Sequence, residues 1–275
     1  MLIRYFMPDN TSIKTVTDAN RKAWDQSALH HRDTNWWHEM VTTVARPDFS
    51  CFDPTMTEAL KGIKLNGKSV VQVGCNNGRE VLSIPAYGAR NVLGIDQSPA
   101  FIGQARELGE IAQKPVTFLC ANIYDLPCDT PVGFDVAIIT IGVLGWMPDL
   151  PEFFNVIAKL SGKGGQLIIY ETHPFLEVFN PKAQNPYQPE FSYFQTEPSI
   201  EEEVITYDGS THEGGVESYW FTHTPSHIFT SILNAGFHIT NFEEFAHSNR
   251  EVGYAIYENQ PAQLPMCYIL QADKS

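Results

Sequence analysis

The sequence predicts an α/β fold around a mostly parallel β-sheet. Three observations predict it. Short continuous apolar runs, such as Val136-Ala137-Ile138-Ile139, suit strands covered on both faces. From Lys68 onward these runs alternate with helix-length segments, the rhythm of stacked βα units. The first run, Val70 to Val73, enters a small-residue turn, Gly74-Cys75-Asn76-Asn77-Gly78, before the next helix.

The elements follow in order. The first 65 residues read as an aromatic-rich helical cap on a domain spanning 66–275. Thr17 is placed to cap a helix through His31, with Asp18 in its first turn. Trp24, Ala28 and His31 then share one face. Asn35-Trp36-Trp37-His38 comes next, and Asp53-Pro54 signals a helix to about Lys61. Asn66-Gly67 turns the chain into the first strand. Strands are expected near 69–73, 91–95, 116–120, 134–140 and 165–171, with helices near 79–87, 98–112 and 149–160. The segment 174–218 is rich in Pro, aromatics and acids, and too long for a plain connection. It reads as an inserted lid, with Val204-Ile205-Thr206-Tyr207 and Val216 to Thr222 paired as a hairpin about Asp208-Gly209. Thr224-Pro225 opens a helix that ends near Asn234 and stops at Gly236. Strands near 237–245 and 264–271 close the sheet.

The turn and its sequel point to a nucleoside. A strand, a Gly-containing turn, a helix and a second strand ending on Asp96 form a βαβ unit. Glycine lets a ligand approach the backbone, and an acid about 20 residues on can accept hydrogen bonds from both ribose hydroxyls. The same acid could instead cap the helix begun by Ser98-Pro99. A dinucleotide fingerprint would place a third Gly inside the helix, where Arg79 follows Gly78. A nicotinamide-dependent oxidoreductase is therefore a competing reading without its fingerprint.

The run Gln72-x-Gly74-x-Asn76-x-Gly78 resembles motif I of the class I S-adenosylmethionine-dependent methyltransferases. Gln72 stands where that family carries an acid, and Asn76 where it carries its middle Gly. Asn tolerates a positive φ, so the turn can survive; Gln keeps an acceptor oxygen but no charge. Cys120-Ala121-Asn122-Ile123-Tyr124-Asp125-Leu126-Pro127 and Phe134-Asp135-Val136 extend the resemblance, which covers about residues 60–275. It implies a Rossmann-like seven-stranded, mostly parallel sheet with an antiparallel C-terminal strand, and S-adenosylmethionine as cofactor. It also implies cofactor contacts from Gln72, Gly74, Asn76, Gly78, Asp96, Gln97, Asn122, Ile123 and Thr140, with Ile141 and Gly142 beside the methionine part. The two departures in the turn keep a non-catalytic cofactor-binding protein as a second competitor.

Methyl transfer from a sulfonium needs the acceptor atom held in line with the methyl group, and a base only if the acceptor must lose a proton. His223 is one base candidate, sharing a strand face with Tyr219 and Phe221 and preceding the helix at Thr224; it could equally pack the helix start. His173 and Glu171 lie at the carboxyl end of the fifth strand, where open α/β sheets bind ligands. Trp24, His31, Trp37 and His38 are candidates for a lid, since aromatic faces suit a cation, although such rings also serve simply to pack helices. His30, His31 and His38 lack a recognised metal-ligand spacing.

Composition bounds the acceptor. The 275 residues hold 18 Lys and Arg against 32 Asp and Glu, a formal charge of −14. Such a balance disfavours a phosphate backbone and favours a small-molecule acceptor, with O-methylation suggested by the candidate base and N- or C-methylation left open. Five cysteines with no C-x-x-C predict neither a disulfide framework nor a zinc site. With no apolar leader or membrane-spanning run visible, a cytoplasmic protein is expected.

Overall fold

The computed structural model describes residues 12–32, 34–210 and 212–275. Three helices come first: α1 (Ile13–Arg32), α2 (Asn35–Thr43) and α3 (Pro54–Gly62). Then β1 (Ser69–Val73), α4 (Arg79–Ser83), β2 (Asn91–Asp96), α5 (Pro99–Ala112), β3 (Val116–Cys120) and β4 (Phe134–Ile139) alternate. α6 (Leu150–Leu160) and β5 (Ser161–Thr172) complete the parallel part. After the insertion come β6 (Ser199–Glu201), β7 (Ser218–Trp220), α7 (Pro225–Asn234), β8 (Phe237–Phe245) and β9 (Cys267–Lys274).

Seven strands form one sheet in the order β3-β2-β1-β4-β5-β9-β8. β1 to β5 pair in parallel, and β9 runs antiparallel to both of its neighbours. Period-2 alternation divides the apolar strand residues between two layers. Val71, Val73, Ala137, Ile139, Leu167 and Ile169 pack with Phe153 and Phe154 of α6 and Ile228 and Ile232 of α7. Val70, Val136, Ile138, Ile168 and Tyr170 pack with Met56 and Leu60 of α3, Val81 of α4 and Ile102 of α5. The sheet is therefore covered on both faces, which is why its central strands are apolar throughout.

The helix starts expected from sequence are capped as the residue types require. Asp53, Ser98, Asp149 and Thr224 each accept a backbone N–H two or three positions into their helices, and a proline opens the first turn in all four.

Several boundaries differ from the sequence reading: β5 already starts at Ser161, α4 ends at Ser83 and passes into a 3-10 turn, and three further differences have a visible cause. α1 is already helical at Ile13, so Thr17 sits inside it, its hydroxyl donating to the Lys14 carbonyl rather than capping the end. The lid hairpin pairs β7 with 199–201, not with 204–207. The reason is competition for backbone groups: the Ile205 N–H donates to Ser27 Oγ at 2.9 Å, and the Ile205 carbonyl accepts from His31 Nε2 at 2.8 Å. Residues 204–207 thus bond to α1 rather than to a strand. The last strand begins at Cys267 rather than 264, since Pro265 has no N–H for the ladder.

Candidate functional site

A cavity of about 930 Å³ opens at the carboxyl ends of β1, β2, β4 and β5, walled by the insertion and by α1. That is where open α/β sheets bind ligands. Its size lies at the upper end for small-molecule sites, room for a cofactor and an acceptor together.

The wall at the ends of β1 and β2 is built from backbone. Gly74 has φ +70°, Asn76 φ +50° and Gly78 φ +76°, so three residues of the turn are left-handed and Asn76 accepts the conformation an L-residue seldom takes. Asp96 ends β2 opposite this turn. Its Oδ2 accepts the Asn76 N–H at 2.8 Å and its Oδ1 accepts the Ser98 N–H at 2.9 Å. Burial raises its pKa and the two backbone donors oppose the rise. Each oxygen keeps a second lone pair, the acceptor pattern a vicinal diol needs. Asn122 follows β3, donating to Thr17 Oγ1 at 2.8 Å and accepting the Tyr124 N–H at 3.0 Å.

The roof comes from α1 and the insertion. Asn20 is fully buried; it accepts the Tyr219 N–H at 2.7 Å and donates to the Tyr219 carbonyl at 3.1 Å, tying α1 to β7. Asp25 accepts from Ser98 Oγ at 2.6 Å, tying α1 to the start of α5. Trp24 meets Trp146 edge-on at 5.4 Å, and Trp146 meets Trp220 at 5.0 Å. Tyr207 packs on His31 at 4.6 Å, with the Arg79 guanidinium 5.5 Å above its ring.

The wall on the insertion side is acidic. Glu171 is buried and accepts from the backbone N–H groups of Gly142 (2.6 Å) and Leu144 (3.0 Å), fixing the loop after β4. Burial pushes its pKa up to about 8 against those donors. Glu177 accepts from Trp220 Nε1 at 3.1 Å. Glu201, Glu202, Glu203 and Glu251 also line the wall, and Lys182 there is paired with Glu203 at 2.6 Å.

Of the residues expected from sequence, Gly74, Asn76, Asp96, Gln97, Asn122, Ile123, Ile141, Gly142, Trp24, Glu171 and His223 line this cavity. Others are placed elsewhere. Gln72 is buried under the turn, donating to Glu80 Oε2 (2.7 Å) and Thr140 Oγ1 (3.0 Å); Thr140 in turn donates to Glu80 Oε2 (2.6 Å). Glu80 is paired with Arg250 at 3.0 Å, so this network holds β1, α4 and β4 together behind the site rather than lining it. Gly78 packs rather than cradles: a Cβ there would lie 2.6 Å from the Phe118 ring. Trp37 is buried against Leu82, Leu108 and Ala112, while His38 is on the surface, so neither belongs to the lid. His173 caps the turn after β5, accepting the Phe175 N–H, and meets Glu244 at 3.0 Å, turned from the cavity.

His223 reaches the wall but is unsuited to be a base. Its Nε2 lies 2.9 Å from the Met147 carbonyl, which can only accept, so Nε2 carries the proton. Its Nδ1 faces His227 Nδ1 at 3.3 Å. Burial and the neighbouring imidazole push its pKa down to about 3. The histidine-base expectation is corrected on that geometry. Glu177, Trp146, Tyr207, Trp220 and Tyr254 are lining residues that sequence reading missed. They come from the insertion and irregular loops, where no periodic pattern marks a face.

Residues 71–169 match the family model described as a methyltransferase domain. A tRNA U34 carboxymethyltransferase from Alteromonas mediterranea is 24% identical over 178 residues, 61% of this chain and 44% of that protein. The chain spans less than half the length of the curated relatives it matches. Two solved structures share the fold. One is an S-adenosylmethionine-dependent methyltransferase from Clostridium acetobutylicum, with TM-score 0.56, 12% identity, 93% of this chain and 98% of that one. The other is geranyl diphosphate C-methyltransferase from Streptomyces coelicolor, with TM-score 0.59, 11% identity, 98% of this chain and 100% of that one. The chain has the Rossmann-like seven-stranded fold of these structures, and residues 71–169 within it match the methyltransferase domain model. Among the described residues no helix is long and apolar enough to cross a membrane.

Proposed function

We propose that this protein transfers the methyl group of S-adenosylmethionine to a small-molecule acceptor bound under the insertion. The observation that carries the reading is Asp96, fixed by the Asn76 and Ser98 N–H groups at the cavity wall with lone pairs left for a ribose diol. Asp96 would hold the sugar, Asn122 and the Ile123 backbone the adenine edge, and Gly74 and Gly142 the methionine part. Trp24 and Trp146 present aromatic rings on the same wall, favourable to a cation with an apolar periphery. When bound, the cofactor supplies an electrophilic methyl carbon. The chain's part is to orient the acceptor, exclude water and take a proton where the acceptor has one to lose.

The wall and the net charge support a small acceptor. Glu177, Glu201, Glu202 and Glu251 stand at the acceptor side, and the one Lys among the described lining residues is already paired. A polyphosphate needs cations to neutralise it, and here it would meet carboxylates. The curated relative named for tRNA keeps an RNA acceptor as the second reading.

The test is thermal stabilisation by S-adenosylmethionine, S-adenosylhomocysteine and NADP in parallel, followed by S-adenosylhomocysteine release with catechol, salicylate, tyramine and bulk tRNA. A ligand that prefers the folded state raises the melting temperature. Stabilisation by the two sulfur nucleosides and turnover on a small acceptor are expected. Turnover on tRNA alone would select the second reading, and stabilisation without any turnover would select a non-catalytic binding protein.

A further inference from the structure

We infer that Glu177 is the proton acceptor for the methyl acceptor in this cavity; the inference rests on the methyltransferase reading above. Glu177 lies in the short 3-10 turn Pro174–Val178 that follows β5, at the carboxyl end of the sheet. Its carboxylate lines the cavity, whereas His223, the imidazole nearest this wall in sequence expectation, has both ring nitrogens occupied. Trp220 Nε1 donates to Glu177 Oε2 at 3.1 Å, and Tyr254 lines the same wall. The indole donor from β7 therefore orients the carboxylate at the cavity wall and leaves its other oxygen able to accept.

Trp220 is itself fixed against the loop after β4. A Cβ at Gly145 would lie 2.3 Å from its ring, so the indole is seated directly on that backbone. The Phe221 N–H donates to the Gly145 carbonyl at 2.8 Å and holds the seat. Glu171 fixes the same loop from below through Gly142 and Leu144, one backbone donor on each oxygen, and so braces the loop on which the indole sits. Glu177 is a cavity carboxylate held by an indole N–H rather than by the fold's own backbone.

The groups facing Glu177 are Trp220 from β7, Tyr254 from the turn at 252–257, Glu251 before that turn and Glu201 from β6. Burial and the two neighbouring acids raise its pKa to about 7, and Trp220 and Tyr254 oppose the rise. A carboxylate in that range can take a proton at neutral pH. In the step itself, the acceptor's heteroatom forms its bond to the methyl carbon as the carbon–sulfur bond breaks. The electron pair of that bond stays on sulfur, and the acceptor's proton passes to a Glu177 carboxylate oxygen. The proton then leaves to solvent before the next turnover.

The indole on Glu177 gives a readout that needs no acceptor. Tryptophan fluorescence of the full chain is titrated from pH 5 to 9 in wild type, Glu177→Gln and Trp220→Phe. A step near neutrality in wild type, absent in both variants, is expected. The same step in Glu177→Gln, or none in wild type, overturns the proposal. Kinetics use whichever panel compound the wild type methylates fastest. Glu177→Gln should lower kcat about a hundredfold or more, leave KM within threefold and abolish the rise of kcat with pH through neutrality. A kcat within threefold of wild type overturns the proposal. S-adenosylhomocysteine affinity by calorimetry separates the two ideas. Failure of wild type to bind it sinks the methyltransferase reading, while equal binding by wild type and Glu177→Gln confines any loss to the acceptor step. Glu177→Asp, which keeps the charge, should recover part of kcat.

Discussion

At the scale of single residues, two side chains carry most of the consequence. Asp96 accepts two backbone N–H groups and keeps lone pairs for a diol. Hydrogen bonds to a charged acceptor contribute about 1.5–3 kcal/mol each, so losing two ribose bonds implies at least a hundredfold weaker binding. Asp96→Ala should show this for S-adenosylhomocysteine by calorimetry, with an unchanged far-ultraviolet spectrum; wild-type affinity would refute the ribose assignment. His223 sets a pH dependence. Its folded-state pKa of about 3 lies below the usual value of 6.5 that the unfolded chain shows. Between these values the unfolded state binds the extra proton, so the contribution is full above pH 6.5 and is lost as pH falls toward 3. The difference is on the order of 5 kcal/mol. His223→Gln, which can still donate to Met147, should unfold with a shallower loss over that window in urea titrations. Glu171, raised to about 8, acts with the opposite sign: its protonated form is favoured by folding, so that stabilisation fades as pH rises through about 8.

At the scale of elements, the site depends on three pieces meeting: the loop after β4, strand β7 and the insertion. Gly145 decides their distance, because a side chain there would occupy the Trp220 ring. Its φ lies outside the left-handed region, so alanine meets no backbone penalty and only the indole resists it. Gly145→Ala should lower the melting temperature and shift Trp220 fluorescence. Trp220→Val should relieve the clash, so the double variant should be more stable than the sum of single losses allows, a coupling that a double-mutant cycle measures directly. Additive losses would mean that the ring and the glycine do not meet. The first βα turn behaves otherwise. Its geometry is local, with Asn76 taking the left-handed position that a glycine would fill more easily. That is why motif reading could find it.

At the scale of the whole molecule, α1 is a tie between the nucleoside wall and the lid. It bonds α5 through Asp25, β7 through Asn20, and residue 205 through Ser27 and His31. A ligand under it should therefore protect distant segments together. Hydrogen exchange should slow at 13–32 and at 199–220 when S-adenosylhomocysteine binds, and protection confined to 70–98 would show that the roof is not coupled to the floor.

The sequence by itself determined the doubly covered sheet, its βα order, the capped helix starts and the pairing of a small-residue turn with Asp96. These follow from local rules: strand runs of apolar residues, a side-chain oxygen before a proline, a fixed spacing along one βαβ unit. It did not determine that residues 204–207 would bond α1 instead of a strand, that Gln72 and Thr140 would turn toward Glu80, or that Glu177 would face the cavity beside Trp220. Those outcomes join groups from 8 to 178 residues apart. Each was settled by which partner the packed chain brought within reach of a buried polar atom, and no periodicity along the chain records that choice.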